Sequence, residues 1–236
     1  MRKRFWETAH VVVEPDGFGV RLDQRPLRLS GGEPLRMRSR PLAEAVALEW
    51  RLAGGEKGGL FGTDDLVLNG LASTMQTHVA PFTAETADRL MGFANGELLC
   101  YRAEGPAPLV ALQQERWQPW LDWLRITHGV ELTVVHGIMP AVQPEHAVAR
   151  LRIALQALSP ASLTGLGVVV PALGSLVLGL ALAARQVDAD EAFRLGRLDE
   201  DFQTSLWGVD PEAEAAATRL RIDVTLAVRF MELADG

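Results

Sequence analysis

The sequence predicts an α+β protein, in which a small N-terminal antiparallel β region is followed by a larger, mostly helical domain. Apolar and polar residues alternate over residues 10–38, which is typical of strands, and the period changes to that of helices after residue 39. Residues 161–184 carry no charge, which indicates helices buried at the centre of a helical domain.

Two hairpins are predicted in the β region. His10–Glu14 and Phe18–Asp23 alternate apolar and polar side chains on either side of a Pro-Asp-Gly turn sequence. A second alternating pair lies on either side of Gly31–Gly32, which favours another tight turn. The N-terminal third of the chain therefore begins with antiparallel strands.

We expect residues 1–40 to form the β-rich region and residues 41–236 to form the helical domain. Residues 131–138 have strand character, and they are the candidate strand that rejoins the β region. The glycine-rich loop at 54–59 is predicted to be flexible, and it lacks the spacing of a phosphate-binding loop.

The first predicted helix covers residues 39–52. Leu42, Ala45 and Val46 lie on one helical face, and Glu49 falls inside the same apolar face. Since an unpaired buried carboxylate is costly, we expect Glu49 to have a partner or to lie near the end of the buried stripe.

The uncharged stretch at 161–184 is long enough to span a bilayer. It also contains four glycines, Pro171 and polar side chains, which favours two buried helices or one helix broken near Pro171. A peripheral membrane factor that uses this stretch remains an alternative.

Composition excludes several classes of function. The net charge of −7 makes nucleic acid a poor partner and a basic or neutral protein surface a better one. The single cysteine, Cys100, excludes an internal disulfide and fits a reducing compartment. The N-terminus has a basic start but no apolar signal core, and it is too short to be a transit peptide. We therefore expect a bacterial cytoplasmic protein or an already mature one.

Recognisable catalytic motifs are missing from the sequence. The five histidines are scattered without metal-ligand spacing, no G-x-S-x-G motif is present, and Cys100 has no neighbouring histidine. We therefore expect a binding protein or chaperone that is not an enzyme and uses no metal or cofactor. The alternative is a small-molecule enzyme with a site between the β region and the helices, using Asp199, Glu200 or Cys100.

Residues 198–214, which we call the acidic corner, contain six carboxylates and no lysine or arginine. Gly208 is a plausible end of one helix, and Asp210 followed by Pro211 is typical of the start of the next. The sequence therefore predicts one helix through residues 192–206, a tight turn and a final helix.

Two interpretations of the acidic corner are open. On the helix predicted through residues 192–206, Asp199 shares an apolar face with Gln203, one turn further on, which suggests a structural hydrogen bond between them. In the other interpretation, Glu200 and its neighbours form an acidic recognition rim beside Trp207, since tryptophan is favoured at interfaces and charge complementarity selects partners.

Segments spread along the chain carry a resemblance to a known family. They are RKRFW at 2–6, GFGVRLDQRPLR at 17–28, PLAEAVALEW at 41–50, LLCYRAEGPAPLVALQQERWQPWLDW at 98–123, GIMPAVQP at 137–144 and GSLVLGLALA at 174–183. The acidic corner completes the set with Asp199, Glu200, Gln203, Trp207, Gly208, Asp210, Glu212 and Ala213. In order and spacing, these segments resemble the ATP synthase F(1) complex assembly factor 2 family.

The resemblance implies a chaperone that binds the newly made α subunit of the F-type ATP synthase head and prevents its aggregation until a β subunit replaces it. It implies no cofactor, no nucleic acid and no stable membrane insertion. It also implies a cytoplasmic location in bacteria and the mitochondrial matrix for eukaryotic relatives. The client-binding residues we expect are Glu200, Asp199, Trp207, Asp210 and Glu212, with Glu200 matched to an acidic residue that matters for client binding in the family.

The sequence departs from the family pattern in two places. After the first helix, residues 66–78 read LVLNGLASTMQTH and lack the proline of the family motif. The segment after Arg25–Pro26 continues with Leu29–Ser30, where the family usually has Thr-Pro. The surface formed by residues 54–78 is therefore the part of the chain to which the family's function transfers least directly.

Overall fold

The computed structural model describes residues 1–137, 139–140 and 142–235, and the fold is α+β, as predicted. The strands are β1 (Arg2–Lys3), β2 (Ala9–Glu14), β3 (Gly17–Leu22), β4 (Arg25–Pro26), β5 (Leu60–Phe61), β6 (Tyr101–Arg102) and β7 (Val135–His136). The helices are α1 (Arg40–Leu52), α2 (Val67–Thr74), α3 (Thr83–Leu90), α4 (Ala107–His128), α5 (Glu145–Gln156), α6 (Pro160–Leu173), α7 (Leu176–Ala183), α8 (Ala189–Gly196), α9 (Leu198–Trp207) and α10 (Pro211–Asp235).

The chain forms two compact units. Unit 1 consists of Met1–Phe82, Ser159–Gly165 and Arg229–Gly236, and unit 2 consists of Thr83–Leu158 and Leu166–Val228. This division differs from the expected boundary at residue 40. The reason is that α1 packs directly on β2 and β3, so the first helices share a core with the strands.

The sheet of unit 1 contains the predicted hairpin. Strands β2, β3 and β4 are antiparallel and neighbours in that order, and His10 pairs with Arg21. Gly17 closes the turn with a φ of 133°, and a Cβ there would lie 2.4 Å from the carbonyl oxygen of Met37. Glycine is therefore required at this turn. The second hairpin is present as an antiparallel bridge between Arg28 and Pro34.

Aromatic rings lie at the centre of the core of unit 1. Trp6 is fully buried, and its ring lies 4.9 Å from Trp50 and 5.2 Å from Phe61, both in edge-to-face geometry. The indole N–H of Trp6 donates to the carbonyl oxygen of Trp50 at 2.8 Å. Burying the ring and satisfying its single donor together attach the N-terminal segment to α1.

The loop at 54–59 was predicted to be flexible, but the side chain of Arg4 holds it. Arg4 is buried and donates through Nη1 to the carbonyl oxygens of Arg51 at 2.8 Å and Gly55 at 2.6 Å. The backbone of Arg4 also exchanges hydrogen bonds with Gly58 and Gly59. The glycine content of the loop predicted flexibility. The local sequence does not indicate that the guanidinium group of Arg4, 51 positions before Gly55, binds the loop.

In unit 2, a short parallel pair replaces the predicted connection of residues 131–138 to the β region. Strand β7 pairs in parallel with β6, with Tyr101 opposite Val135 and Arg102 opposite His136. Both strands lie within unit 2, so the expected strand does not rejoin the N-terminal sheet. Of the predicted segment, Ile138 lies outside the described residues.

The uncharged stretch forms two helices, α6 and α7, which is one of the two predicted arrangements. The break lies at Gly174, whose φ is 65°, and Ser175, whose hydroxyl accepts from the N–H of Leu178 at 3.0 Å. Pro171, the expected break, lies inside α6. None of the described helices is both long enough and apolar enough to cross a membrane.

Candidate functional site

The acidic corner is built from α9, a short turn and the start of α10. The sequence predicted a single helix through residues 192–206, whereas the structure has α8 and α9, with Arg197 between them at φ −110° and ψ 14°. The predicted end and restart are confirmed. Gly208 caps α9 at a φ of 90°, and Asp210 Oδ1 accepts from the N–H of Glu212 at 2.9 Å as α10 begins.

Apolar side chains are exposed at this corner. Trp207 is 79% exposed, and its neighbours Leu206 and Val209 are 57% and 64% exposed. Within α9 only Leu198 is buried, so most of this helix faces solvent. Exposed tryptophan beside exposed aliphatic side chains is typical of a protein-binding surface.

Charge is distributed unevenly between the two units. Unit 1 contains 12 basic and 12 acidic side chains, and unit 2 contains 11 and 18. The six carboxylates of the acidic corner account for most of the difference in unit 2. The negative charge of the protein is therefore concentrated around the exposed apolar side chains.

Most carboxylates of the acidic corner are free of ion pairs. Glu200, Glu212 and Glu214 are exposed, and within the described part of the chain they have no basic partner in ion-pair range. Asp201 is the exception, because it lies 3.6 Å from Arg197. The charges of Glu200, Glu212 and Glu214 are therefore available to a basic partner surface.

Asp199 has a structural contact, but not the expected one. The side-chain amide of Gln113 on α4 donates to Asp199 Oδ1 at 2.7 Å, and Gln203 is exposed. Asp199 is half-buried, so this carboxylate is partly used by the fold. Asp210 is likewise engaged by the N-terminus of α10, whereas Glu200, Trp207 and Glu212 are exposed and have no side-chain partner among the residues that the structure describes.

The residues of the enzyme alternative lie in different surroundings. Cys100 is fully buried, and burial raises the pKa of its thiol to about 12, so it carries no reactive thiolate near neutral pH. Glu200, in contrast, lies on the exposed surface. Among the described residues, no cluster of histidine, cysteine, aspartate and glutamate has the arrangement of a metal site.

A second surface contains the segment that departs from the family pattern. Residues 66–78 form α2 and a π-helical turn, and they line an open groove of about 1100 Å³ in unit 1, together with Trp50 and Phe61. Gln76 in the π-helical turn accepts from the N–H of Arg36 and donates to the carbonyl oxygen of Pro34. This side chain completes the hydrogen bonding of a strand edge, which gives the π-helical turn a structural role.

The sequence did not indicate which buried polar side chains contact the acidic corner or lie near it. Gln113 and Arg102 are both buried, and neither is close in sequence to the acidic corner. The available signal was the position of polar Gln113 four residues before Trp117 on a predicted helix, which places both on one face. A buried glutamine needs partners for both ends of its amide, and Asp199 is one of them.

Comparison with known proteins gives consistent matches. The family model described as ATP12 chaperone protein matches residues 3–125. The chain is 36% identical to Atp12 from Paracoccus denitrificans, with a TM-score of 0.91 and 98% of each chain covered. A variant of that protein with an aspartate replaced by lysine matches with 35% identity, a TM-score of 0.91, and coverage of 98% of this chain and 97% of that one.

A third solved structure is also similar. The Atu1473 protein from Agrobacterium tumefaciens is 32% identical, with a TM-score of 0.89. The match covers 98% of this chain and 85% of that protein. The similarity therefore extends over both units and includes the acidic corner.

Proposed function

This chain belongs to the ATP12 chaperone family, and we propose that it is an assembly chaperone for the F-type ATP synthase. In this proposal it binds the unassembled α subunit of the catalytic head until a β subunit replaces it. An unassembled subunit of an alternating ring exposes an apolar interface, and a partner that covers that interface reversibly suppresses aggregation. A single buried thiol is compatible with the reducing cytoplasm, where we place the protein.

The observation that carries the proposal is the exposed side chain of Trp207 inside a surface of uncompensated negative charge. Trp207, Leu206 and Val209 supply apolar contact area, and Glu200 and Glu212 supply charge at its rim. A basic surface on the client, with an apolar centre, is the complementary partner. Asp210 contributes by capping α10 and Asp199 by holding α9, so both shape the binding surface.

The experiment that tests the proposal is capture of the isolated α subunit in the absence of nucleotide, with β subunit added as competitor. We expect capture of α and its displacement by β. A soluble, folded α subunit that is not captured would contradict the proposal. Capture that β does not displace would contradict the exchange step.

A pair of variants locates the contact. We expect Trp207→Ala to weaken capture about 30-fold, because truncating an interface tryptophan typically costs 2 kcal/mol or more. Ile126→Ala is the matched control, since Ile126 is 75% exposed on α4 and lies outside the acidic corner. Equal effects of the two substitutions would exclude Trp207 as the anchor.

A further inference from the structure

We propose that a buried network of Arg102, Gln113 and Asp199 positions α9, and that Asp199 and Gln113 are positioning residues for the acidic corner. The proposal rests on the client-binding function proposed above, because it explains how Glu200 and Trp207 are presented. All three residues belong to unit 2. The network links α4 to the first turn of α9, which also contains the exposed Glu200 and precedes Trp207.

Gln113 is the centre of the network. It is 1% exposed, and its carbonyl oxygen Oε1 accepts from the N–H of Ala103 at 2.8 Å. Its Nε2 donates to Asp199 Oδ1 at 2.7 Å. The bond to Ala103 fixes which way the amide points, so Nε2 is directed at the position of Asp199 and selects an acceptor there.

Arg102 is the positively charged member of the network. It is buried, donates through Nη1 to the backbone carbonyl oxygen of Gln113 and through Nε to that of Leu99, and lies 5.3 Å from the centre of the Trp117 ring. Burial lowers the pKa of Arg102, and Cys100 and then Asp199 oppose that shift electrostatically. A buried guanidinium stabilises a nearby carboxylate, so Arg102 as well as Gln113 favours the position of Asp199.

One nitrogen atom of Arg102 is a buried donor that a nearby negative charge stabilises. Among the described residues, Nη2 of Arg102 is buried and has no hydrogen-bond partner. A buried donor without an acceptor is costly, and a nearby negative charge reduces that cost. Removing the carboxylate of Asp199 therefore affects both Gln113 and Arg102, although only Gln113 contacts it directly.

Helix α9 needs such an attachment because it is short and mostly exposed. It has ten residues, and Leu198 is its buried side chain. A helix of that length is marginal in water without tertiary contacts. The indole N–H of Trp117 on α4 also donates to the carbonyl oxygen of Leu195 at 2.9 Å, near the end of α8 and shortly before α9 begins. Helix α4 therefore holds both the end of α8 and the first turn of α9.

The test exchanges the two partners of the central hydrogen bond. Gln113→Glu places two carboxylates next to each other and removes the N–H group that donates to Asp199. In the double variant Gln113→Glu with Asp199→Asn, the amide of the new asparagine donates to the new carboxylate, so the bond and the negative charge near Arg102 are both restored. Asp199→Asn alone keeps an acceptor for Gln113 and serves as the conservative control.

Two readouts are compared for these variants: amide hydrogen exchange of residues 201–208 and capture of the isolated α subunit. For Gln113→Glu we expect about tenfold faster exchange across α9 and about tenfold weaker capture, as for loss of one hydrogen bond to a charged group. The double variant should return both readouts to within about twofold of the wild type, because a swapped pair preserves the coupling. Asp199→Asn alone should change exchange by less than Gln113→Glu.

The outcomes separate the two proposals. Hydrogen exchange requires no client, so failure of the wild type to capture α contradicts the client proposal, while exchange still decides whether the network positions α9. A folded Gln113→Glu variant with wild-type exchange in α9 overturns the positioning proposal. So does a double variant that folds but leaves α9 as exchangeable as in the single variant.

Discussion

Glu97 and Glu200 are both glutamates of unit 2, but the fold uses their charges in opposite ways. Glu97 is fully buried, and its oxygens accept from the hydroxyl of Ser175 at 2.5 Å and the N–H groups of Leu176 and Val177 at 2.7 Å and 3.2 Å, at the start of α7. Glu200 is exposed near the start of α9, and the described residues offer it no partner. Glu97 is therefore part of the scaffold, whereas the charge of Glu200 is free for an external partner.

Unit 1 repeats the buried arrangement in a milder form. Leu66 precedes α2, and its apolar side chain cannot accept a hydrogen bond from the first N–H groups of that helix. Glu49 of α1 accepts from two of them, the N–H groups of Leu68 and Asn69, at 2.7 Å and 2.9 Å. The sequence-based expectation that Glu49 has a partner is confirmed. In each unit one glutamate, Glu49 or Glu97, therefore binds the N-terminus of a helix. Greater burial and a larger number of bound donor groups distinguish these two glutamates from Glu200.

The largest effect is expected at Glu97. Replacing Glu97 by alanine removes the acceptor of several buried donors, so we expect the free energy of unfolding to fall by about 3–5 kcal/mol. Urea denaturation followed by circular dichroism measures it. Glu131→Ala, at an exposed loop residue, is the control and should change stability by less than about 0.5 kcal/mol. A loss below about 1 kcal/mol for Glu97→Ala would remove the distinction between the two kinds of acid.

The pH dependence of stability gives the next largest effect. Burial raises the pKa of Glu97 from 4.5 to about 7, against the opposing effect of its hydrogen bonds. Between these values the folded protein keeps a proton that the unfolded chain has released, so the contribution of Glu97 to stability falls as the pH rises from 4.5 to 7.

Above about pH 7 the contribution of Glu97 is constant. Over the range, we expect the difference in unfolding free energy between wild type and Glu97→Gln to fall by at most about 1.4 kcal/mol per pH unit. Urea titrations at pH 5, 6, 7 and 8 measure it. A difference that rises with pH would mean that the hydrogen bonds to the carboxylate outweigh its burial.

Glu49 should have an intermediate effect. Burial raises its pKa, and its hydrogen bonds to Asn69 and Leu68 oppose the shift, so its charge is only partly compensated. We expect Glu49→Ala to lower the unfolding free energy by about 2 kcal/mol, because two backbone N–H groups lose their acceptor. Hydrogen exchange should accelerate at Leu68 and Asn69 before other residues of α2. Unchanged exchange at these two amides would show that water replaces the carboxylate without cost.

Asp210 is a smaller case within the acidic corner. Its carboxylate accepts one backbone N–H at the start of α10, so we expect Asp210→Ala to cost about 1 kcal/mol of stability. Asp210→Asn retains the capping oxygen and should recover most of the loss. If alanine and asparagine destabilise equally, the charge of Asp210 matters more than the cap.

Local signals predicted much of the fold, and distant partners account for most of what they missed. The hairpin around Gly17, helix α1 and the corner at Gly208 and Asp210 depend on turn and capping residues that lie within a few positions of one another. The break at Arg197 has no glycine or proline to indicate it, and β6 and β7 are too short to give a clear pairing signal.

The candidate site follows the same rule. An exposed Trp207 beside an acidic rim was one of two interpretations of the sequence, and the resemblance to the family favoured it; the structure has Trp207 exposed. The partner of Asp199 was not, because Gln113 is 86 residues away and Gln203 satisfied the local pattern equally well. Only the fold decides which amide reaches a half-buried carboxylate.

We propose that the free charge of the acidic corner binds the client. The most direct test of this proposal is the affinity of isolated α subunit for Glu200→Lys and for Glu131→Lys, which makes the same charge change beyond the far end of α4, roughly 20 Å from Gln113 by helix rise. We expect about tenfold weaker binding for Glu200→Lys and wild-type binding for Glu131→Lys, with unfolding free energies within about 0.5 kcal/mol of wild type. A folded Glu200→Lys variant that binds like the wild type, or a loss of affinity shared equally by Glu131→Lys, would contradict the account.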